Sequence, residues 1–184
     1  MIEMILDCCV SEEQCYQLLS ITDWLFRRTP FHVSCSAGDT ESVRVMLNHI
    51  NQDMRYSMLQ MRDMFSDTPL HYASHDGHTD VMKMIHESVT HTQWINLLHM
   101  KEYREMTVLQ RAVYFDKQSG RIETIRESVS DEEWIKLLST PLPQYRKDIH
   151  NEARYQRAVT KIDELRTAAR VKSALLIANQ SGEK

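Results

Sequence analysis

Glycine and proline are scarce in this sequence, with four of each in 184 residues. That is too few for an all-β sandwich or barrel, which turns about every 8–12 residues. So little glycine leaves no Gly-rich phosphate loop, and neither His-Glu-x-x-His nor Gly-x-Ser-x-Gly occurs. No apolar run reaches the ~18 residues that a membrane-spanning helix needs. Residues 1–10 are apolar but carry no basic leader and no small-residue cleavage site, so a signal peptide is not expected. Cysteine is confined to Cys8, Cys9, Cys15 and Cys35, with no Cys-x-x-Cys pair, whereas a disulfide framework spreads its cysteines over the loops it staples. Reduced, mostly packed thiols are expected, and with them a cytoplasmic (or nuclear) location. The net charge of −4 lacks the basic excess of nucleic-acid binders. The expectation is therefore no nucleic-acid partner and no membrane insertion.

What the chain does have is a core and a repeat. Hydrophobic residues make up 42% and charged residues 26%, a balance that supports a packed, helix-leaning globular chain. Thr29-Pro30-Phe31-His32 recurs 39 residues later as Thr68-Pro69-Leu70-His71. Thr107-Val108-Leu109-Gln110 is a weakened copy a further 39 residues on, and Lys147-Asp148-Ile149-His150 a weaker one. A second landmark keeps the same step: residues 10–19, 50–59, 89–98 and 129–138 align, three of them ending on Leu-Leu. Two landmarks with one period identify a repeat architecture, in which no unit buries its apolar face alone.

Each unit reads as helices from its own side chains. Thr68 can cap a helix through its hydroxyl, and Pro69 suits the first helical position. Leu70 and Ala73 then face inward, and Gly77 ends the helix, as Gly38 does one unit earlier. In the second helix Val43, Met46, Leu47 and Ile50 fall at i, i+3, i+4 and i+7. Val81, Met84, Ile85 and Val89 continue that face, as do Ile122, Ile125 and Val129. A third, short helix begins at Ser11/Gln14, Thr90/Gln93 and Ser130/Glu133, all at capping-box spacing.

At these residues the chain resembles the ankyrin-repeat family, whose signature Thr-Pro-Leu-His-x-Ala, closed by Gly, stands here as Thr68-Pro69-Leu70-His71-Tyr72-Ala73 with Gly77. Thr29, Pro30 and His32 with Gly38 form the next-best copy. The resemblance implies an all-α, ankyrin-type helical solenoid. The step of 39–40 residues exceeds the family's usual ~33, and the surplus is assigned to the extra short helix per repeat. The family's finger turn usually carries Gly before Thr-Pro; here Arg27, Ser66 and Glu105 stand near that place, so irregular fingers are expected. The array is expected over residues 1–150, about three and a half to four units, with its best copies at 29–50 and 68–89 and a weaker one at 107–129. Ile2 to Val10 aligns with Val81 to Val89, the second helix of a unit, so that unit is expected to lack its first helix. A C-terminal capping helix is expected over 151–178 and a disordered tail over 179–184.

Groups that could carry chemistry are weighed against structural roles. His71, His75 and His78 are the tightest polar cluster and could ligate zinc, but the resemblance gives His71 a structural role between repeats. Cys8-Cys9 point apart on a helix and are read as packed; Glu132-Glu133 sit where they favour a helix dipole. Trp94 and Trp134 are read as packing plugs, and the basic residues of the C-terminal helix as a solvated face. No catalytic residue, metal or cofactor is expected, and the chain is read as a non-enzyme and a monomer.

The resemblance further implies that finger tips and first helices form a concave surface for another protein. Carried over, the finger candidates are Leu25, Phe26, Arg28, Met64, Phe65, Asp67, Tyr103, Arg104 and Met106. The helix candidates are Ser36, Ala37, His75, Asp76, Tyr114 and Phe115. Aromatic, Met and Arg side chains are the types enriched at interface cores. The competing reading folds these groups inward. The expected function is a protein–protein interaction scaffold or adaptor. The alternatives are a structural segment of a larger multidomain protein and a zinc- or His-dependent site at His71/His75/His78.

Overall fold

The computed structural model describes residues 2–115, 120–143 and 152–181. Among these the chain forms twelve α-helices, and its one extended pairing is an isolated antiparallel bridge between Lys101 and Thr107. Three helices recur per unit. The first helices form an inner row: α3 (Pro30–Ala37), α6 (Pro69–Asp76) and α9 (Val108–Tyr114). The second helices form an outer row: α1 (Ile2–Leu6), α4 (Thr40–Asn48), α7 (Thr79–Ser88) and α10 (Arg121–Glu127). The third row holds α2 (Glu12–Leu19), α5 (Gln52–Leu59), α8 (His91–His99) and α11 (Asp131–Ser139). α12 (Glu152–Ser181) lies against α9 and α11.

Each inner helix packs on the next, α3 on α6 and α6 on α9, and the outer helices do the same from α1 to α10. The core runs along the array as one cluster. Phe31, Leu70, Ala73, Val108 and Ala112 come from the inner row, and Val43, Met46, Val81, Ile85 and Ile125 from the outer. Burying an aliphatic side chain of this kind stabilises by about 1.5–3 kcal/mol. The 39-residue period thus becomes a stack in which each unit completes its neighbour's core.

The third helix is no appendage: it runs 8 residues in α2 and α5 and 9 in α8 and α11, as long as the inner helices. Its Leu-Leu pairs are buried at Leu97, Leu98, Leu137 and Leu138, with Trp94 and Trp134 beside them. Trp94 Nε1 donates to Ser128 Oγ of the following unit at 2.9 Å, so this tryptophan fills space and also registers the repeats.

Capping fixes where the helices start and stop. Capping boxes open α3, α6, α8, α9 and α11. Gly38 and Gly77 end α3 and α6 in the left-handed region, at φ 68° and 83°. Gly38 has a second constraint, because a Cβ there would run into the His78 ring.

Two expectations meet the structure differently, and a third falls outside the described residues. Residues 179–181, expected as disordered tail, continue α12 as helix, which has no breaker before Gly182. The copy at 147–150 lies outside the described residues. The third unit, a weakened copy by sequence, keeps the full architecture: Val108 takes the place of proline, and Gln110 that of histidine, in a complete capping box.

Candidate functional site

The loops before each inner helix are built alike around one carboxylate. In the first, Asp23 Oδ1 accepts the Leu25 and Phe26 N–H groups at 3.0 and 2.5 Å. In the second, Asp63 Oδ1 accepts Phe65 and Asp67 N–H at 2.8 and 2.9 Å, while its Oδ2 takes the Tyr72 hydroxyl at 2.7 Å. In the third, Glu102 Oε1 accepts Met106 N–H at 3.3 Å. Backbone bonds from Asp23, Asp63 and Glu102 N–H to the Arg28, Asp67 and Met106 carbonyls close the three loops. The residues at the turn that lack glycine, Arg27, Ser66 and Glu105, take φ values of 58°, 59° and 62°. Each loop therefore makes the glycine-type turn with an L-residue, so the fingers are regular despite their sequence.

Neighbouring fingers are tied together. Met64 N–H donates to Phe26 O, and Tyr103 N–H to Phe65 O, both at 2.9 Å. Arg62 Nη1 reaches Lys101 O at 2.6 Å. Above these bonds the rings form a ladder, with Phe26 to Phe65 centroids 6.2 Å apart and Phe65 to Tyr103 5.8 Å, within the range of favourable ring pairs. Arg28 lies over the Phe26 ring at 4.6 Å and Arg104 over the Tyr103 ring at 4.9 Å. The sequence signal for this ladder was the recurrence of apolar residues at the finger tips.

Beneath the fingers lies a buried charged cluster. Arg111 on α9 pairs with Asp67 through Nη1 and lies 3.7 Å from Glu102 Oε2. Burial pushes the Asp67 carboxyl up to about 7, against the lowering effect of Arg111. Glu102 is also raised by burial. The Arg111 guanidinium stands 5.8 Å from the Phe115 ring, which meets the His75 ring edge-on at 4.3 Å. Arg111 thus links finger base to helix end. Arg121, buried on α10, donates through Nη1 to Ser74 O and His75 O, both at 2.7 Å, and through Nη2 to Phe115 O at 3.1 Å. It caps the C-terminus of α6 from the next unit. Composition and spacing gave no signal for the roles of Arg62, Arg111 or Arg121.

The candidate residues divide by depth. Leu25, Met64, Phe65 and Tyr103 are exposed on the fingers, with Phe26, Arg28 and Arg104 half-buried beside them. Ala37 and Asp76 are exposed, and Ser36, His75 and Phe115 half-buried, at the ends of the inner helices. The Ser36 hydroxyl donates to Asp76 Oδ2 across units at 2.9 Å. Three candidates face inward: Asp67 and Met106 are 3% exposed and Tyr114 5%, so none presents a side chain to a partner. Asp67 is drawn in by Arg111, while Met106 and Tyr114 complete the core beneath the third finger.

The structural motif residues bond as a set. Thr29 N–H and Oγ1 lie 3.1 and 2.8 Å from His32 Nδ1, and Thr68 repeats this with His71 at 3.3 and 2.8 Å. Burial first, then the Arg111 charge, drives His71 down to about 3, so it is neutral at pH 7. His75 Nδ1 meets Asp76 Oδ1 at 2.8 Å, and His78 Nε2 meets Ser36 O at 3.0 Å. These three rings turn to different partners, and among the described residues no group of three or more His, Cys, Asp or Glu side chains could hold a metal ion. Cys15 and Cys35 are buried, Cys9 is half-buried and Cys8 exposed. Burial raises Cys15 to about 11.

A family model described as ankyrin repeats, in 3 copies, matches residues 5–93. No curated protein matches the chain. The match ends within α8, yet α9, α10 and α11 continue the same three-row pattern beyond it. No helix among the described residues is long and apolar enough to cross a membrane. Ankyrin repeats are generally protein–protein interaction modules and typically carry no enzymatic activity.

Proposed function

Since the chain is an ankyrin-repeat protein, we propose that it is an interaction scaffold or adaptor that recognises a protein partner through its fingers and inner-helix ends. The observation that carries this reading is the Phe26–Phe65–Tyr103 ladder, an apolar strip exposed at Phe65 and Tyr103, half-buried at Phe26, and held in place by the finger-to-finger backbone bonds. A preorganised strip of this kind binds without the entropy cost of ordering loose loops. Cations surround it: Arg27, Arg28, Arg62, Lys101 and Arg104 outnumber the acidic Asp23 and Glu105 at the finger surface. The partner segment it suits carries apolar side chains flanked by Asp or Glu. The reading places the chain in the cytoplasm or nucleus, where free thiols stay reduced.

The test compares wild type with the double variant F65A/Y103A. Both residues are exposed, and circular dichroism checks that the helix content is unchanged. Immobilised on beads, wild type retains a specific protein from a lysate of its source cells and the variant does not. Equal retention on both contradicts a finger-centred interface.

A further inference from the structure

Each third helix touches the last turn of the outer helix before it at one repeating place. Arg55 Nε donates to Leu47 O at 2.7 Å, the Trp94 ring lies 5.0 Å from that of His86, and the Arg126 guanidinium stands 5.7 Å from the Trp134 ring. In the first unit the same register brings two cysteines together. Cys15 is the counterpart of Arg55, Trp94 and Trp134, and Cys9 that of His49, Ser88 and Ser128. Cys15 Sγ donates to Leu6 O at 3.7 Å, and the Cys9 N–H donates to the same oxygen at 2.9 Å. Cys9 Sγ lies 3.9 Å from Ile5 O, the carbonyl just before it. The two thiols thus hang on adjacent carbonyls of the last turn of α1, and Cys9 is a hydrogen-bonding neighbour of Cys15.

The two differ in access. Cys9 is half-buried, and so are His49, Ser88 and Ser128 at its place in the later units. His49 and Ser88 end outer helices that have an outer helix packed on either side, so the opening belongs to the repeat position itself. Cys15 is 4% exposed, and burial raises its thiol to about 11, so it keeps its proton at pH 7. Cys8 is exposed but turns to a different carbonyl, its Sγ 3.2 Å from Met4 O. Cys35 is buried on α3.

We propose that Cys9 and Cys15 are a modification site, forming a reversible disulfide on exposure to hydrogen peroxide. The Cys9 thiolate attacks one peroxide oxygen; the S–O bond forms, the O–O bond breaks, and the departing hydroxide takes up a proton and leaves as water. The Cys15 sulfur then attacks the sulfur of this sulfenic acid. The S–S bond forms, the S–O bond breaks, and the second hydroxide leaves as water with the Cys15 proton. Two thiols are oxidised by two electrons in all, and one peroxide is reduced to two waters. The neighbouring thiol captures the sulfenic acid before it reaches the irreversible sulfinic acid. In a compartment that keeps thiols reduced, such a bond is transient and senses oxidant; it is not a permanent staple.

The test treats the folded chain with hydrogen peroxide, alkylates the remaining thiols in urea and measures the intact mass. Wild type loses two hydrogens and leaves two of its four thiols to alkylate, and dithiothreitol restores all four. Cleavage after Glu12 and Glu13 separates Cys9 from Cys15, and trypsin at Arg27 or Arg28 separates both from Cys35. The two short peptides then stay joined only through the disulfide. Cys8→Ser keeps the bond, whereas Cys9→Ser and Cys15→Ser lose it. A second measurement needs no variant. Equilibrated in glutathione buffers, the folded chain forms the bond at a ratio of glutathione disulfide to thiol at least about tenfold lower than the chain in urea does, because the fold holds the pair together. A crosslink that Cys9→Ser retains overturns the proposal, as does one that needs Cys8. Sulfinic acid at Cys9 in place of a crosslink, or equal ratios in the folded and unfolded chain, overturns it too.

Discussion

His32 Nε2 lies 3.1 Å from the backbone carbonyl of Asp67, 35 residues on, while its Nδ1 accepts from Thr29 N–H at 3.1 Å. One ring therefore caps its own helix and donates to the next unit. Gln110 does the same with an amide: Oε1 accepts Thr107 N–H at 2.9 Å, and Nε2 donates to Thr140 O at 3.1 Å and Pro141 O at 2.9 Å. Histidine and glutamine are interchangeable here because both present an acceptor and a donor at similar separation. They differ in one respect, that histidine titrates.

His71→Gln consequently changes the acid response and spares the fold. Burial and the Arg111 charge depress His71 from 6.5 to about 3, so between those values the unfolded chain binds more protons than the folded one. The stability from this group is complete above 6.5 and is lost as pH falls towards 3. Between pH 6.5 and 5 the loss is roughly 2 kcal/mol. Urea unfolding at pH 7 and pH 5 should show a smaller drop for H71Q than for wild type. An equal drop would move the acid sensitivity to other groups, such as His32, which burial also depresses.

Asp67 carries the opposite sign. Its folded value is raised from 3.8 to about 7, so its contribution is present below 3.8 and is lost as pH rises through 7. D67N has no such slope. Between pH 6 and pH 8 the melting temperature of D67N should rise relative to that of wild type. A constant difference over this range would mean that Asp67 stays ionised throughout, held by Arg111.

Ser66 makes its finger turn at φ 59°, a left-handed conformation that costs an L-residue about 1–2 kcal/mol. Glycine removes that cost but loses some chain entropy on folding. S66G should therefore gain roughly 0.5–1 kcal/mol in chemical denaturation, and G38A, at φ 68° with the His78 ring against it, should lose stability. A destabilised S66G would show that the Ser66 side chain matters more to the finger than its backbone does.

Arg121→Met leaves the Ser74, His75 and Phe115 carbonyl oxygens without their guanidinium partner. Leaving buried polar groups unmet costs about 2–4 kcal/mol in total. A lower urea midpoint with an unchanged slope is the expected signature. A loss below about 0.5 kcal/mol would mean that water replaces the guanidinium.

What the sequence made legible is local chemistry. Thr68, Pro69, His71 and Gly77 act within one helix, and each role follows from residue type and position. The third row was visible through Thr90/Gln93 and Ser130/Glu133 for the same reason. What it hid is contact across units. Arg121 meets Ser74 and Arg111 meets Asp67 over separations of 47 and 44 residues, and only the stacking brings them together. The finger tips were placed by their step along the chain, which says nothing of depth. Phe65 and Tyr103 therefore emerge on the surface while Asp67, Met106 and Tyr114 turn inward. Gln110 looked like a lost histidine because a one-letter comparison does not register that an amide can satisfy the same two partners.

The most direct test of the central claim, recognition through the fingers, is an amide hydrogen-exchange footprint of the chain with a partner retained on the beads. Slowed exchange at residues 25–28, 64–67 and 103–106 and at the ends of α3 and α6, with α2, α5, α8 and α11 unchanged, is the result this account predicts. Protection confined to the third-row helices or to α12, with the fingers exchanging as in the free chain, would contradict it.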